Sequence, residues 1–265
     1  MEFNKKYIPG ILIDDSDDED VAANVVVNST NIIEPTKLKA RKTVQKHFLK
    51  ECHTDDPQIM EIGIDEAGRG PLFGRVYAGA AILPKDNTTF DHTLMKDSKK
   101  FSSSKKIQEA EQYIKENAIA WAIGYEDEIV IDDINILQAT QSAMHKAIKA
   151  ALAKVNNDNV LLLVDGNYFK PYTLQKPPTF KTLNHITVEK GDNTYSSIAA
   201  GSILAKVARD RYIGELCEDN PELVERYSIN SNKGYGAKVH IEGIKEFGIT
   251  KWHRQTFGIC KKYVA

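Results

Sequence analysis

Cysteine is scarce in this 265-residue chain: Cys52, Cys217 and Cys260 form an odd, scattered set with no CxxC pair. That pattern argues against a disulfide framework and a zinc site alike, and a reducing compartment, by default the cytoplasm, is the expected location. Long apolar runs are missing too. No stretch approaches the roughly 18 continuous apolar residues of a membrane span. The opening MEFNKKYIPGILIDDSDDED lacks the apolar core of a signal peptide, and its early acids argue against a transit peptide. Charge of one sign is not in excess either. A formal net charge of −2 argues against attachment to nucleic acid by bulk charge, so any polyanion site has to be local. What the chain does have is 42% hydrophobic residues, enough to bury a sizeable core in a soluble globular protein.

Residues 1–58 differ from the rest. An acidic run from Asp14 to Asp20 precedes a polar stretch and then the basic KLKARKTVQKHFLKE. This reads as a flexible N-terminal extension with one short helix around Leu38 to Lys50, and Ser16 among the acids is a weak candidate for phosphorylation. From residue 59 onward the pattern is that of an α/β domain, helical from about residue 220. Strands are expected at Ile59–Ile64, Arg75–Leu83 and Ile119–Gly124 as a meander, then at Val160–Val164 and His185–Val188. Helices are expected over Asp133–Val155, Thr194–Cys217 and Val239–Phe247, the last stopped by Gly248, with a glycine-bearing loop at Asn230–Ala237. Ser103 or Ser104 is placed to cap a further helix.

Three of these strands finish on acids: Asp65 with Glu66 beside it, Asp165 before Gly166, and Asp192 before the long helix. Each acid alone has an ordinary explanation as a turn or cap residue. Together, at neighbouring strand ends, they would gather negative charge that repels itself unless cations neutralise it. Hard oxygen ligands of this kind suit Mg2+ or Mn2+, and a carboxylate-held pair of such ions favours in-line displacement at phosphorus. Strand alternation sets Asp65 and Glu66 on opposite faces, so for both to serve one site the strand is expected to end or kink there.

The blocks GIDEAGRGPLFG, LMKDSKKFSSSKK, LLLVDGN, VEKGDNTYSSIAAGSILAKVARDR, NKGYGAKVHIEGIKEFG and TKWHRQTF resemble, in order and spacing, those of ribonuclease HII, the type 2 ribonuclease H. The resemblance covers about Ile59 to Phe257. It implies a ribonuclease H-like mixed sheet flanked by helices, with a helical C-terminal part. It also implies that Asp65, Glu66, Asp165 and Asp192 hold two Mg2+ or Mn2+ ions. The implied reaction is endonucleolytic cleavage 5′ of ribonucleotides embedded in DNA, or within RNA·DNA hybrids, which removes misincorporated ribonucleotides. The backbone of Gly68, Arg69 and Gly70 would then read the 2′-hydroxyl, and Tyr235 would pack against the neighbouring deoxyribose. Ser98, Lys99 and Lys100 suggest a contact to a DNA phosphate. His240 and His253 have no partner at metal-ligand spacing and read as structural. Phe73 and Arg75 stand where bacterial members more often carry smaller residues and proline.

Other readings remain in view. Ribonuclease HIII shares the fold but prefers a GTG-type block and commonly a glutamate as fourth acid, which Arg69 and Asp192 oppose. A catalytically silent nucleic-acid-binding homologue would be expected to have lost one of the four acids. The catalytic subunit of the eukaryotic heterotrimer would need two partners, whereas GPLFGRVYAGAAIL and DSKKFS look closer to the single-subunit form, a monomer with no obligate protein partner.

Overall fold

The structure is a computed structural model describing residues 48–176 and 179–264. Most of the helix expected around Leu38 to Lys50 and the candidate Ser16 lie outside the described residues. Of that stretch, Phe48 and Leu49 are irregular, and Lys50 forms a β-bridge with Tyr195 instead of closing a helix.

Among the described residues, five strands form one mixed sheet in the order β3-β2-β1-β4-β7. They are β1 (Met60–Ala67), β2 (Val76–Ile82), β3 (Ala120–Glu126), β4 (Val160–Asp165) and β7 (Asn184–Val188). The first three make the expected antiparallel meander, and β4 and β7 extend it in parallel beyond β1. Their apolar runs dictate this placement: Ile62, Ile64, Leu162 and Val164 are fully buried at the centre of the sheet. A small separate hairpin, β5 (Thr173–Lys176) with β6 (Thr179–Thr182), has no counterpart among the expected elements.

Helix α1 (Ser104–Asn117) opens with the Ser103 hydroxyl accepting from the Lys106 N–H at 3.3 Å. Helix α2 covers Glu128–Leu152 and starts before the expected Asp133, because Asp127 caps the Val130 N–H; Asn135, at φ 67°, kinks it. It buries Ala143, Met144, Ala147 and Ile148 against one sheet face. On the other face lie α1 and α3 (Ser196–Asp219), through Ile107, Ile114, Ala199, Ile203 and Leu204. Helix α3 sits so close to β1 that a Cβ on Gly63 would fall 2.0 Å from the Ser197 carbonyl carbon. The C-terminal part carries α4 (Glu222–Tyr227), α5 (Ile229–Asn232) and α6 (Lys238–Phe247), packed with Phe73 and Ile213 into their own apolar cluster. The expected loop from Asn230 therefore begins as the end of the short helix α5.

One expectation fails. Strand β1 neither ends nor kinks at Asp65: the β1–β2 register continues through Asp65↔Gly79, Glu66↔Ala78 and Ala67↔Tyr77. It stays regular because β2 keeps pairing with it on one side, while on the other side β1–β4 pairing stops at Ile64↔Val164.

Candidate active site

The overhang of β1 resolves the alternation problem. Asp65 points toward α3, where Ser202 bonds its carboxylate and the Glu66 N–H donates to Oδ1 at 2.7 Å. Glu66 takes the opposite face. It still borders Asp165, because β4 ends there and leaves the last residues of β1 uncovered. Asp165 is fixed by the Gly191 N–H at 2.6 Å, and Asp192 stands one residue further along in a single 3-10 turn. The Asn193 side chain donates to Asp192 at 2.9 Å and to Asp97 at 3.2 Å.

These acids are electrostatically strained. Burial pushes the Asp65 carboxyl well above the usual carboxylate range, and the charges of Glu66 and Asp165 add to that. Burial also raises Glu66, with Arg69 opposing at 3.2 Å, and raises Asp192, with Asp97 and Asp165 contributing. Among the described residues, no three His, Cys, Asp or Glu side chains are already gathered as metal ligands. The donor set nevertheless fits hard divalent cations. All its atoms are carboxylate oxygens, and the mutual repulsion that helps raise Asp65 and Asp192 is what added positive charge would relieve.

A cavity of about 710 Å³ opens beside the acids. It is lined by Asp65, Glu66, Gly68, Arg69, Gly70, Ser98, Lys99, Asp165, Asp192 and Tyr235, so all the site residues singled out in the sequence except Lys100 border one space. Lys100 turns instead to Asn193. Ser98 is buried, its hydroxyl 3.0 Å from that of Ser202, whereas Lys99 is exposed. Gly68 has φ 95°, and a Cβ there would strike the Arg209 side chain at 2.4 Å, so the fold itself demands glycine. Gly70 is different. A Cβ at Gly70 would meet only the Tyr235 ring, at an ordinary 3.6 Å, so neither conformation nor packing requires the bare backbone there.

The Ribonuclease HII family model matches residues 62–260. The chain belongs to the ribonuclease HII family. A Ribonuclease HII of Phocaeicola vulgatus is 44% identical over 201 residues, covering 76% of this chain and 90% of the relative. The ribonuclease H2 of Pyrococcus horikoshii shares the fold with TM-score 0.60 and 21% identity, covering 77% of this chain and 96% of its own. Bst-RNase HIII in complex with Mn2+ superposes with TM-score 0.56 and 19% identity, covering 78% of this chain and 69% of its own. The expected ribonuclease H-like fold and the activity class, a ribonuclease H type 2 hydrolase, stand on these matches. Among the described residues, no helix is long and apolar enough to cross a membrane.

Site residues that sequence reasoning missed are mostly buried polar ones. Ser202 bonds Asp65, and Asn193 joins Asp192 to Asp97. Arg209 is 2% exposed and donates to the carbonyls of Phe73, Arg75 and Lys233. Arg254 is fully buried, with burial and the neighbouring Arg209 lowering it to about 9, so it stays cationic at neutral pH. The sequence signal was present in the ARDR and HRQ segments, but an arginine there reads as surface charge. His240 and His253 are buried and bonded to each other, Nε2 to Nε2 at 3.0 Å. Their partners assign the tautomers. The Thr250 N–H donates to His253 Nδ1, leaving Nε2–H to donate to His240, whose Nδ1–H reaches the Tyr235 carbonyl at 2.8 Å.

That relay works only with both rings neutral. Burial lowers His253 to about 3, with His240 adding to the shift, and burial lowers His240 as well. The unfolded chain therefore binds more protons below its ordinary value of about 6.5, so this stability is complete above that pH and is lost as pH falls toward the folded value. The urea midpoint should drop between about pH 7 and pH 5, and His253→Asn should drop less than the parent. An equal drop in both would place the acid sensitivity elsewhere.

Proposed function

We propose that this ribonuclease HII hydrolyses the phosphodiester bond 5′ of ribonucleotides embedded in duplex DNA, and within the RNA strand of RNA·DNA hybrids, so removing misincorporated ribonucleotides. The observation that carries this reading is that four carboxylates, the Gly68–Gly70 block and Tyr235 all line one cavity. Asp65, Glu66, Asp165 and Asp192 would hold two Mg2+ or Mn2+ ions, which supply a reactive water at neutral pH and stabilise the leaving oxygen. The chain's own groups do the rest. Ser98 and Lys99 bind a backbone phosphate, the Gly68–Gly70 backbone takes the 2′-hydroxyl, and the half-exposed Tyr235 ring packs on the adjoining deoxyribose. We assign catalysis to residues 59–265 acting as a monomer in the cytoplasm, with nucleic acid as the partner and residues 1–58 as an extension.

The reading is tested with an end-labelled duplex carrying one ribonucleotide. Cleavage 5′ of the ribonucleotide, giving 3′-hydroxyl and 5′-phosphate ends and requiring Mg2+ or Mn2+, is the expected result. Cutting that persists in excess EDTA, or binding without cutting, would overturn it. Tyr235→Ala should lower kcat/KM at a single ribonucleotide by about tenfold, more than on long hybrids, since an aromatic stack on a nucleotide contributes about 1–3 kcal/mol. Equal losses on both substrates would make Tyr235 a packing residue.

A further inference from the structure

Arg254 holds its charge in the interior without a salt bridge among the described residues. Its guanidinium donates instead to carbonyls of one loop: Gly68 at 2.6 Å, Pro71 at 2.9 Å, Arg69 at 3.0 Å and Gly74 at 2.8 Å. Its backbone N–H donates to the Leu72 carbonyl at 2.8 Å. One residue therefore donates to five carbonyls of the stretch 68–74. Burying a cation is costly unless every donor is used, so the return for the fold has to lie in what this arrangement fixes.

What it fixes is direction. In a trans peptide the N–H points opposite to the C=O of the same unit. Drawing the Gly68 and Arg69 carbonyls inward turns the N–H groups of Arg69 and Gly70 away from Arg254, on a loop that borders the cavity. Neither N–H has an acceptor among the described residues. Pro71 has no N–H and ends the series. The loop thus presents two adjacent, preoriented donors next to Gly70, the glycine that neither conformation nor packing requires.

We infer that Arg254 is a positioning residue for substrate discrimination: it sets the polarity of the 68–74 loop so that the Arg69 and Gly70 N–H groups receive the ribose 2′-oxygen. This rests on the sugar-reading role proposed for Gly68–Gly70. A lysine at 254 keeps the charge but not the planar fork, and cannot hold several carbonyls at once.

The test compares kcat/KM on a duplex carrying one ribonucleotide with that on the same duplex carrying a 2′-fluoro nucleotide, a much poorer hydrogen-bond acceptor. The ratio is insensitive to the fraction of enzyme folded. Wild type should favour the ribonucleotide, and Arg254→Lys should shrink the preference by about fivefold or more, the worth of a directed hydrogen bond. If wild type shows no preference, the sugar-reading assignment itself fails. If wild type discriminates and Arg254→Lys keeps the full ratio, the role of Arg254 fails while the reading survives. Should the variant not fold, amide exchange in the wild-type protein decides. The Arg69 and Gly70 amides should exchange freely alone and become protected by the ribonucleotide duplex without metal; exchange unchanged by the duplex overturns the inference.

Discussion

Asp65→Asn should reduce turnover by about a thousandfold or more, a loss of the size seen when a catalytic group is deleted, while leaving the metal-free fold at least as stable as the parent. Both halves of that expectation come from the same environment. Asparagine keeps an oxygen to accept the Glu66 N–H, so the local hydrogen bonding survives. It removes one charge from a buried cluster in which Glu66 and Asp165 already disfavour ionisation. The melting temperature in EDTA should therefore stay level or rise. Adding Mg2+ or Mn2+ should raise the melting temperature of the parent but much less that of the variant, because ligands that bind only the folded state stabilise it. Near-parental turnover with Mg2+ would remove Asp65 from the mechanism. A clearly lower melting temperature in EDTA would show that its carboxylate is structural.

Gly63→Ala is the counterpart, a change expected to damage the fold without touching the acids. The added methyl would lie 2.0 Å from the Ser197 carbonyl carbon and 2.3 Å from the Ile198 nitrogen. These are backbone atoms, so no side-chain rotation can make room; either α3 lifts from the sheet or β1 shifts. Overpacked cores lose about 1–3 kcal/mol and sometimes more, and this site should fall at or beyond the upper end. Urea unfolding measures it. A loss under about 1 kcal/mol would mean that the helix rides further from the strand than described. Since α3 also carries Ser202, lifting it would withdraw a hydrogen bond from Asp65, so activity should fall with stability.

The elements legible in the sequence are those with a strong apolar signature. LLLVD carries the mark of a strand buried on both faces, and the small residues of SSIAAGSILA suit a helix lying close against a sheet. The hairpin Thr173–Lys176 with Thr179–Thr182 went unread because its strands are short, polar and divided by two prolines. The site divides in the same way. The acids were visible because carboxylates at strand ends are conspicuous, but Asp65 and Glu66 were expected to require a broken strand. The structure needs none, because the sheet beside β1 stops first, and neighbouring strand lengths are tertiary information. Arg209 and Arg254 were invisible for a related reason: whether an arginine faces water or a ring of carbonyls depends on loops distant in sequence.

The pairing of β1 with β4 bears on how the enzyme comes into being. Met60 lies against Val160 and Ile64 against Val164, so the central pair of the sheet joins residues about a hundred positions apart. Closing so long a loop is entropically slow, whereas the β1–β2–β3 meander and α2 rest on local contacts and can form early. Asp65 and Asp165 meet only when this distant pair zips. A refolding chain should therefore regain most of its helical signal before any nuclease activity, with cleavage returning in step with the last, long-range event.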